Sequence, residues 1–134
     1  MNYLQHDLKT KAIYVNPIYV SGGEDTGYDI TNHTEIDPIF GNMEDFTSLV
    51  RAMHKRDMKI IMDFVPNHSS KEHPWFVKST NREPPYADYY VWHPGKNTST
   101  GGRRDVPNNW LSVFGGSAWT WHEGREAYYL HQFA

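Results

Sequence analysis

The chain contains no cysteine, so no disulfide framework can form and metal sites built on thiolate are excluded; the redox compartment is left open. No stretch approaches the ~20 apolar residues needed to span a membrane. The first residues, Met1–Lys9, lack the basic stretch and apolar core of a secretory leader. Positive charge is not in excess either. Thirteen Lys and Arg against sixteen Asp and Glu leave a net charge of −3, and the densest basic stretches, Lys9–Lys11 and Arg103–Arg104, are small. A general nucleic-acid binder usually shows a basic patch, so nucleic acid is not an expected partner. No His-Glu-x-x-His or comparable ligand spacing is present, and His73, His93, His122 and His131 read as surface or loop residues. There is no internal repeat and no low-complexity tract.

Aromatic residues are abundant. Five Trp, nine Tyr and six Phe make up 15% of the chain, and all five Trp fall in its second half. Core and loop packing accounts for most such rings. Some could instead form flat platforms beside hydrogen-bonding groups, which suit the C–H faces of sugar rings.

A length of 134 residues suffices for one ordinary domain. Met1–Lys11 reads as the end of an amphipathic helix, with Leu4 and Leu8 on one face. Ala12–Tyr19 is strand-like, with Pro17 marking its end. Ser21–Gly27 is a glycine-rich loop. Asn42–Arg56 reads as a helix: Asn42 can cap it, Glu44 and Asp45 lie in the first turn, and Lys55 and Arg56 lie in the last. Met43, Phe46, Leu49, Val50 and Met53 form an apolar stripe at helical spacing, expected to be core. The near-continuous apolar run Met58–Val65 predicts a parallel strand covered on both faces. Beyond Ser69 helix and strand periods fade, and Pro74, Pro84, Pro85, Pro94 and Pro107 mark turns. Asn97–Arg103 reads as an exposed, mobile loop, and Asn97-Thr98-Ser99 fits the glycosylation pattern.

Strand, helix and strand make a right-handed βαβ unit whose two strands run parallel and finish on the same side. The loop Ser21–Ile39 and the loop from Pro66 should therefore converge. Tyr28, Asp29, Asp63 and His68 become neighbours, with Asp63, Asn67 and His68 where the second strand gives way to loop. In α/β barrels this is where chemistry is done.

The segment Asp63–His68 (Asp-Phe-Val-Pro-Asn-His) resembles the first signature region of the α-amylase family of glycoside hydrolases, Asp-x-Val-x-Asn-His. Gly27–Ile30, Ile36–Gly41 and Met43–Phe46 match the approach to it. Asn108–Trp119 and Tyr128–Phe133 are similar to the branch that holds α-glucosidases, maltases and oligo-1,6-glucosidases. One local departure is Ser21–Gly27: the branch often has an aromatic before Gly-Tyr-Asp and a Pro-Met earlier, whereas here glycines should make the loop more flexible.

The resemblance implies an α/β fold, part of a TIM (β/α)8 barrel: about its strands 2 and 3 with the intervening helix, over residues 1–68. Residues 69–134 would belong to the loop- and aromatic-rich subdomain inserted after strand 3. It implies that Tyr28 stacks on the sugar at the cleavage subsite, that Asp29 and His68 hydrogen-bond its hydroxyls, and that Asp63 organises the floor. Each has a plainer alternative: Asp29 as a turn residue, Asp63 satisfying loop amides, His68 as a partly buried structural histidine. Asn67 matches a calcium position of α-amylases. The oligoglucosidase branch usually lacks that ion, so no metal or cofactor is expected in this chain, and any calcium would lie elsewhere in a full-length protein. The expected partner is an α-glucosidic oligosaccharide such as maltose.

The implied activity is that of a retaining α-glucosidase releasing terminal α-linked glucose. The family's nucleophile and acid/base follow later strands, so the isolated chain, as a fragment, is expected to be inactive and unstable. A second possibility from another class is the ectodomain of a heteromeric amino-acid transporter heavy subunit, with a membrane anchor in a missing N-terminal part. A third is a free-standing sugar-binding module. By resemblance, the full-length protein is expected to be secreted or anchored outside the cell.

Overall fold

The computed structural model describes residues 1–97 and 105–133. The expected loop Asn97–Arg103 and the glycosylation pattern lie, apart from Asn97, outside the described residues. The chain forms two compact units, Met1–Ser70 and Lys71–Ala134.

The first unit opens with a single π-helical turn, Tyr3–Asp7, in place of the expected amphipathic helix end, and Leu8 is exposed. Strand β1 (Ala12–Val15) is followed by a hairpin, β2 (Tyr19–Ser21) with β3 (Ile30–Ile36), then helix α1 (Met43–His54) and strand β4 (Lys59–Met62). β1 and β4 pair in parallel, with Ala12 opposite Lys59 and Val15 opposite Met62. The βαβ unit of the sequence is thus present. The expected strand Ala12–Tyr19 is split, because Pro17 has no N–H to continue the ladder. Tyr19 restarts as β2 in a different, antiparallel sheet. The hairpin corrects the reading of Ser21–Ile39 as loop alone. Its second strand is rich in β-branched residues (Ile30, Thr31, Thr34, Ile36), a signal available in the sequence.

Helix α1 begins where expected. The Asn42 side chain accepts from the Glu44 and Asp45 amides at 2.8 and 3.0 Å, and the Asp45 carboxylate accepts from the Asn42 amide at 3.1 Å. This reciprocal box satisfies amides that a helix start otherwise leaves orphaned. Of the apolar stripe, Met53 is fully buried, Phe46, Leu49 and Val50 are half-buried, and Met43 is exposed. The helix packs on β4 and β3. Met53 and Met58, together with Ile30, Ile36 and Val65, are the buried apolar residues of this unit.

The expectation that β4 is covered on both faces fails. Alternation puts Ile13, Val15, Ile60 and Met62 on a half-buried face, while Tyr14 and its register partner Ile61 are 58% and 51% exposed. One helix covers one face of this two-stranded sheet. Among the described residues nothing in the unit covers the other.

The second unit is more regular than its sequence indicates. Helix α2 (Pro74–Thr80) is followed by a three-stranded antiparallel sheet of β5 (Trp92–His93), β6 (Trp119–His122) and β7 (Ala127–Leu130), in the order β5-β7-β6. These strands are two to four residues long, too short for their alternation to stand out. Phe76 of α2 stacks on Trp92 at 5.5 Å and meets Tyr90 and Tyr129 edge-on, so these rings are core. Arg125, in the turn between β6 and β7, is buried. It donates to the Ser79 and Ala87 carbonyls and lies 4.3 Å over the Trp92 ring.

The histidines read as surface or loop residues do local work. His73 is buried, and its Nδ1 accepts from the Trp75 amide at 3.1 Å to cap α2. His122 Nδ1 accepts from the Arg125 amide at 3.0 Å, and exposed His93 accepts from Gly95 at 2.9 Å.

Replacing the α1 cap tests the helix assignment. Asn42→Ala should lower stability by about 1 kcal/mol in denaturant unfolding of the full polypeptide, with Asn42→Asp close to neutral.

Candidate active site

The site grows from the C-terminal ends of β1 and β4. The Asp63 amide donates to the Val15 carbonyl at 3.1 Å, extending the parallel ladder one bond beyond β4. Alternation then places the Asp63 side chain on the same open face as Ile61 and Tyr14. Two tyrosines converge on this residue. The Tyr28 hydroxyl donates to Asp63 Oδ2 at 3.0 Å, and the Tyr19 hydroxyl donates to the Asp63 carbonyl at 3.0 Å.

These bonds have an electrostatic consequence. A phenol that donates to a carboxylate resists losing its proton, since the phenolate would face a like charge. The Asp63 carboxylate is the main reason that Tyr14 is pushed up to about 12 from 10.0 and that Tyr28, which donates to it, is raised. Both remain protonated at any ordinary pH.

The hairpin delivers Tyr28 and Asp29. Asp29 is buried, and its two oxygens accept from the Glu24 and Asp25 amides at 3.0 and 3.1 Å. The Gly22 amide donates to the Asp29 carbonyl and the Tyr28 amide to the Asp25 carbonyl. The glycine-rich loop is thereby closed on itself around Asp29. Gly27 fixes its base: φ is +98°, and a Cβ there would stand 2.9 Å from the Pro17 carbonyl oxygen. Only glycine takes this conformation and this approach without strain.

The segment after β4 is bound to the hairpin. His33 Nε2 lies 3.2 Å from the Val65 carbonyl, which can only accept, so this nitrogen carries the proton. The Ser70 amide donates to the Ile30 carbonyl at 2.9 Å. His68 sits between the buried residues Val65 and Ser70, half-buried itself, with both ring nitrogens shielded from solvent. Asn67 is exposed. No group of three or more His, Cys, Asp or Glu able to hold a metal ion occurs among the described residues.

Of the four residues singled out in the sequence, the structure joins Tyr28 to Asp63 directly. It places Asp29 beside Tyr28 with its carboxylate turned into the loop, and His68 on the segment that starts at Asp63. Tyr19 and His33 were missed; both depend on a hairpin the sequence reading lacked.

Acids and phenols gathered at the ends of parallel strands, on a chain carrying Asp-Phe-Val-Pro-Asn-His, define a class. The whole chain, residues 1–134, matches the alpha amylase catalytic domain, and the protein belongs to that family. Its relatives there include α-glucosidases, maltases and an oligo-1,6-glucosidase. It is 54% identical over 128 residues to an alpha-glucosidase of Apis mellifera, covering 96% of this chain and 22% of that protein. It is 51% identical to Maltase A2 of Drosophila melanogaster, covering 99% of this chain and 23% of the relative. An amino acid transporter heavy chain of Rattus norvegicus is 47% identical, covering 94% of this chain and 18% of that protein. Among solved structures, isomaltulose synthase SmuA from Protaminobacter rubrum superposes with a TM-score of 0.92 at 43% identity, over 100% of this chain and 23% of that one. The chain thus spans under a quarter of the length of these relatives. The family's catalytic domain is a TIM barrel; the described residues form partial sheets of mixed α/β structure and no closed barrel.

Gly27→Ala tests the base of the loop. Forcing an L side chain to a positive φ should cost about 1–2 kcal/mol in denaturant unfolding, and the contact with Pro17 should add to it. Gly23→Ala, with open space around its Cβ position, should show the φ penalty alone.

Proposed function

We propose that this chain is part of a retaining α-glucosidase that removes terminal α-linked glucose from short oligosaccharides such as maltose. The observation that carries the reading is the hydrogen bond from Tyr28 to Asp63 at the carboxyl end of β4, in a chain about half identical to α-glucosidases and maltases. In this reading β1 and β4 are the second and third strands of the barrel, α1 joins them, and the first unit is barrel. The second unit is part of the subdomain inserted after the third strand. The open face bearing Tyr14, Ile61 and Asp63 looks into the barrel, where ligands of such folds bind.

The Tyr28 ring offers a flat face to the sugar, and its hydroxyl stays tied to Asp63. Asp63 shapes the floor of the site. His68, on the segment anchored at Asp63, donates to a sugar hydroxyl. Asp29 fixes the loop that presents Tyr28, and in the substrate complex its carboxylate also faces a sugar hydroxyl. Retaining hydrolysis needs a nucleophile and an acid/base ~5–5.5 Å apart. We assign neither role to Asp29, whose oxygens are engaged by amides, nor to Asp63, whose Oδ2 is engaged by the Tyr28 phenol; the pair comes from sequence outside this chain. Asn67 is assigned no metal in this reading, and any calcium of the full-length protein would lie elsewhere.

The second reading, a heavy subunit of an amino-acid transporter, is favoured by one observation, the rat relative. The two readings diverge in a single assay. The full-length polypeptide should hydrolyse an aryl α-glucoside and release the α-anomer first, as followed by proton NMR. Asp63→Asn should lower kcat/KM by roughly 100-fold or more, since misplacement near the reacting centre carries losses of that size. His68→Ala should raise KM. A well-folded full-length protein with no turnover, which co-purifies with a multi-span membrane subunit, would establish the second reading instead. The isolated 134-residue chain should show no turnover.

A further inference from the structure

The pairing of β1 with β4 leaves the Asp63 carbonyl in need of a donor that the ladder cannot supply. Along this ladder the Lys59 and Asp63 amides donate to the Lys11 and Val15 carbonyls at 2.8 and 3.1 Å. In a parallel pair, a residue that donates to the carbonyl before its register partner accepts from the amide after that partner. Continued one residue past Met62, the register sets Asp63 opposite Asn16, so the Asp63 carbonyl calls for an N–H at position 17. Pro17 stands there and has none. The Tyr19 hydroxyl, two residues further along the chain, takes this carbonyl instead at 3.0 Å. The hairpin serves the next alternate carbonyl in the same way, with His33 Nε2 3.2 Å from the Val65 oxygen.

We propose that Tyr19 is a positioning residue of the active site: its phenol stands in for the N–H that Pro17 lacks and fixes the main chain from which the Asp63 carboxylate is presented. The proposal rests on the reading of Asp63 as part of a glucosidase site. Asp63 is held at three atoms, its amide by Val15, its carbonyl by Tyr19 and its Oδ2 by Tyr28. It lies one residue beyond the last paired position of β4, Met62. With only its amide bound, the peptide that follows Asp63 is free to turn its carbonyl toward water, and the side chain moves with it. The phenol removes that freedom. Tyr19 is itself set in β2, opposite Ile36, so the donor is carried by a paired strand.

The test is steady-state kinetics and a double-mutant cycle on the full-length protein. Tyr19→Phe keeps the ring and deletes only the donor. It should lower kcat for an aryl α-glucoside by roughly tenfold, a size usual for hydrogen-bonded neighbours, and leave KM within about twofold. In an Asp63→Asn background the same substitution should have little further effect, because the carboxylate it positions is already gone. A hydroxyl that only supports the fold would cost activity equally in both backgrounds. Unchanged kcat in Tyr19→Phe, a loss carried by KM alone, or equal losses in the two backgrounds would overturn the positioning role while leaving the site assignment intact. If Asp63→Asn alone leaves kcat/KM unchanged, the site assignment falls, and this proposal falls with it.

Discussion

The hydrogen bonds that bind the β2–β3 hairpin to the segment following β4 are the constraint on which the site depends. The Tyr19 hydroxyl takes the Asp63 carbonyl, His33 the Val65 carbonyl, and the Ser70 amide the Ile30 carbonyl. Each satisfies a main-chain group that has no ladder partner once β4 ends at Met62. Leaving such groups unpaired in a buried setting costs about 1–3 kcal/mol each, so the hairpin and the segment fold as one piece. Tyr28 and Asp63, remote in sequence, then meet at 3.0 Å because their carriers are already fixed to each other.

The βαβ unit was legible because its signals are local and long. Asn42 with Asp45 three residues on spells a helix start, and the apolar run from Met58 spells a strand. Asp63 and Tyr28 could be brought together on paper from strand direction alone. The hairpin was not legible. Only three residues of β2 pair, and shifts on both sides of Val20 break its alternation. The second unit failed for a related reason: its strands are brief, and their stability comes from rings and from Arg125 that meet only after folding. The exposed face of β1 and β4 misled in the opposite direction, since an apolar run predicts cover whether or not the covering elements are present.

Arg125 shows how the second unit manages without long elements. A guanidinium spreads several donors in a plane. Here they gather the Ser79 and Ala87 carbonyls from α2 and the turn after it, with the flat face on Trp92 of β5. Burial is the leading influence on this group and works against its charge, yet carbonyl dipoles and an aromatic face surround it. The aromatic wealth of the sequence is thus largely spent inside: Phe76, Trp92 and Tyr129 form a core that three short strands alone would not make.

The approach of Gly27 to the Pro17 carbonyl also sets how this region can diverge among descendants. The end of β1 and the base of the hairpin loop share one volume, so drift at either position is limited by the other. A Cβ added at Gly23, in the loop, would meet nothing within 4 Å. Substitutions near Gly23 should therefore be tolerated more readily than changes at the base, where Gly27 and Pro17 constrain each other.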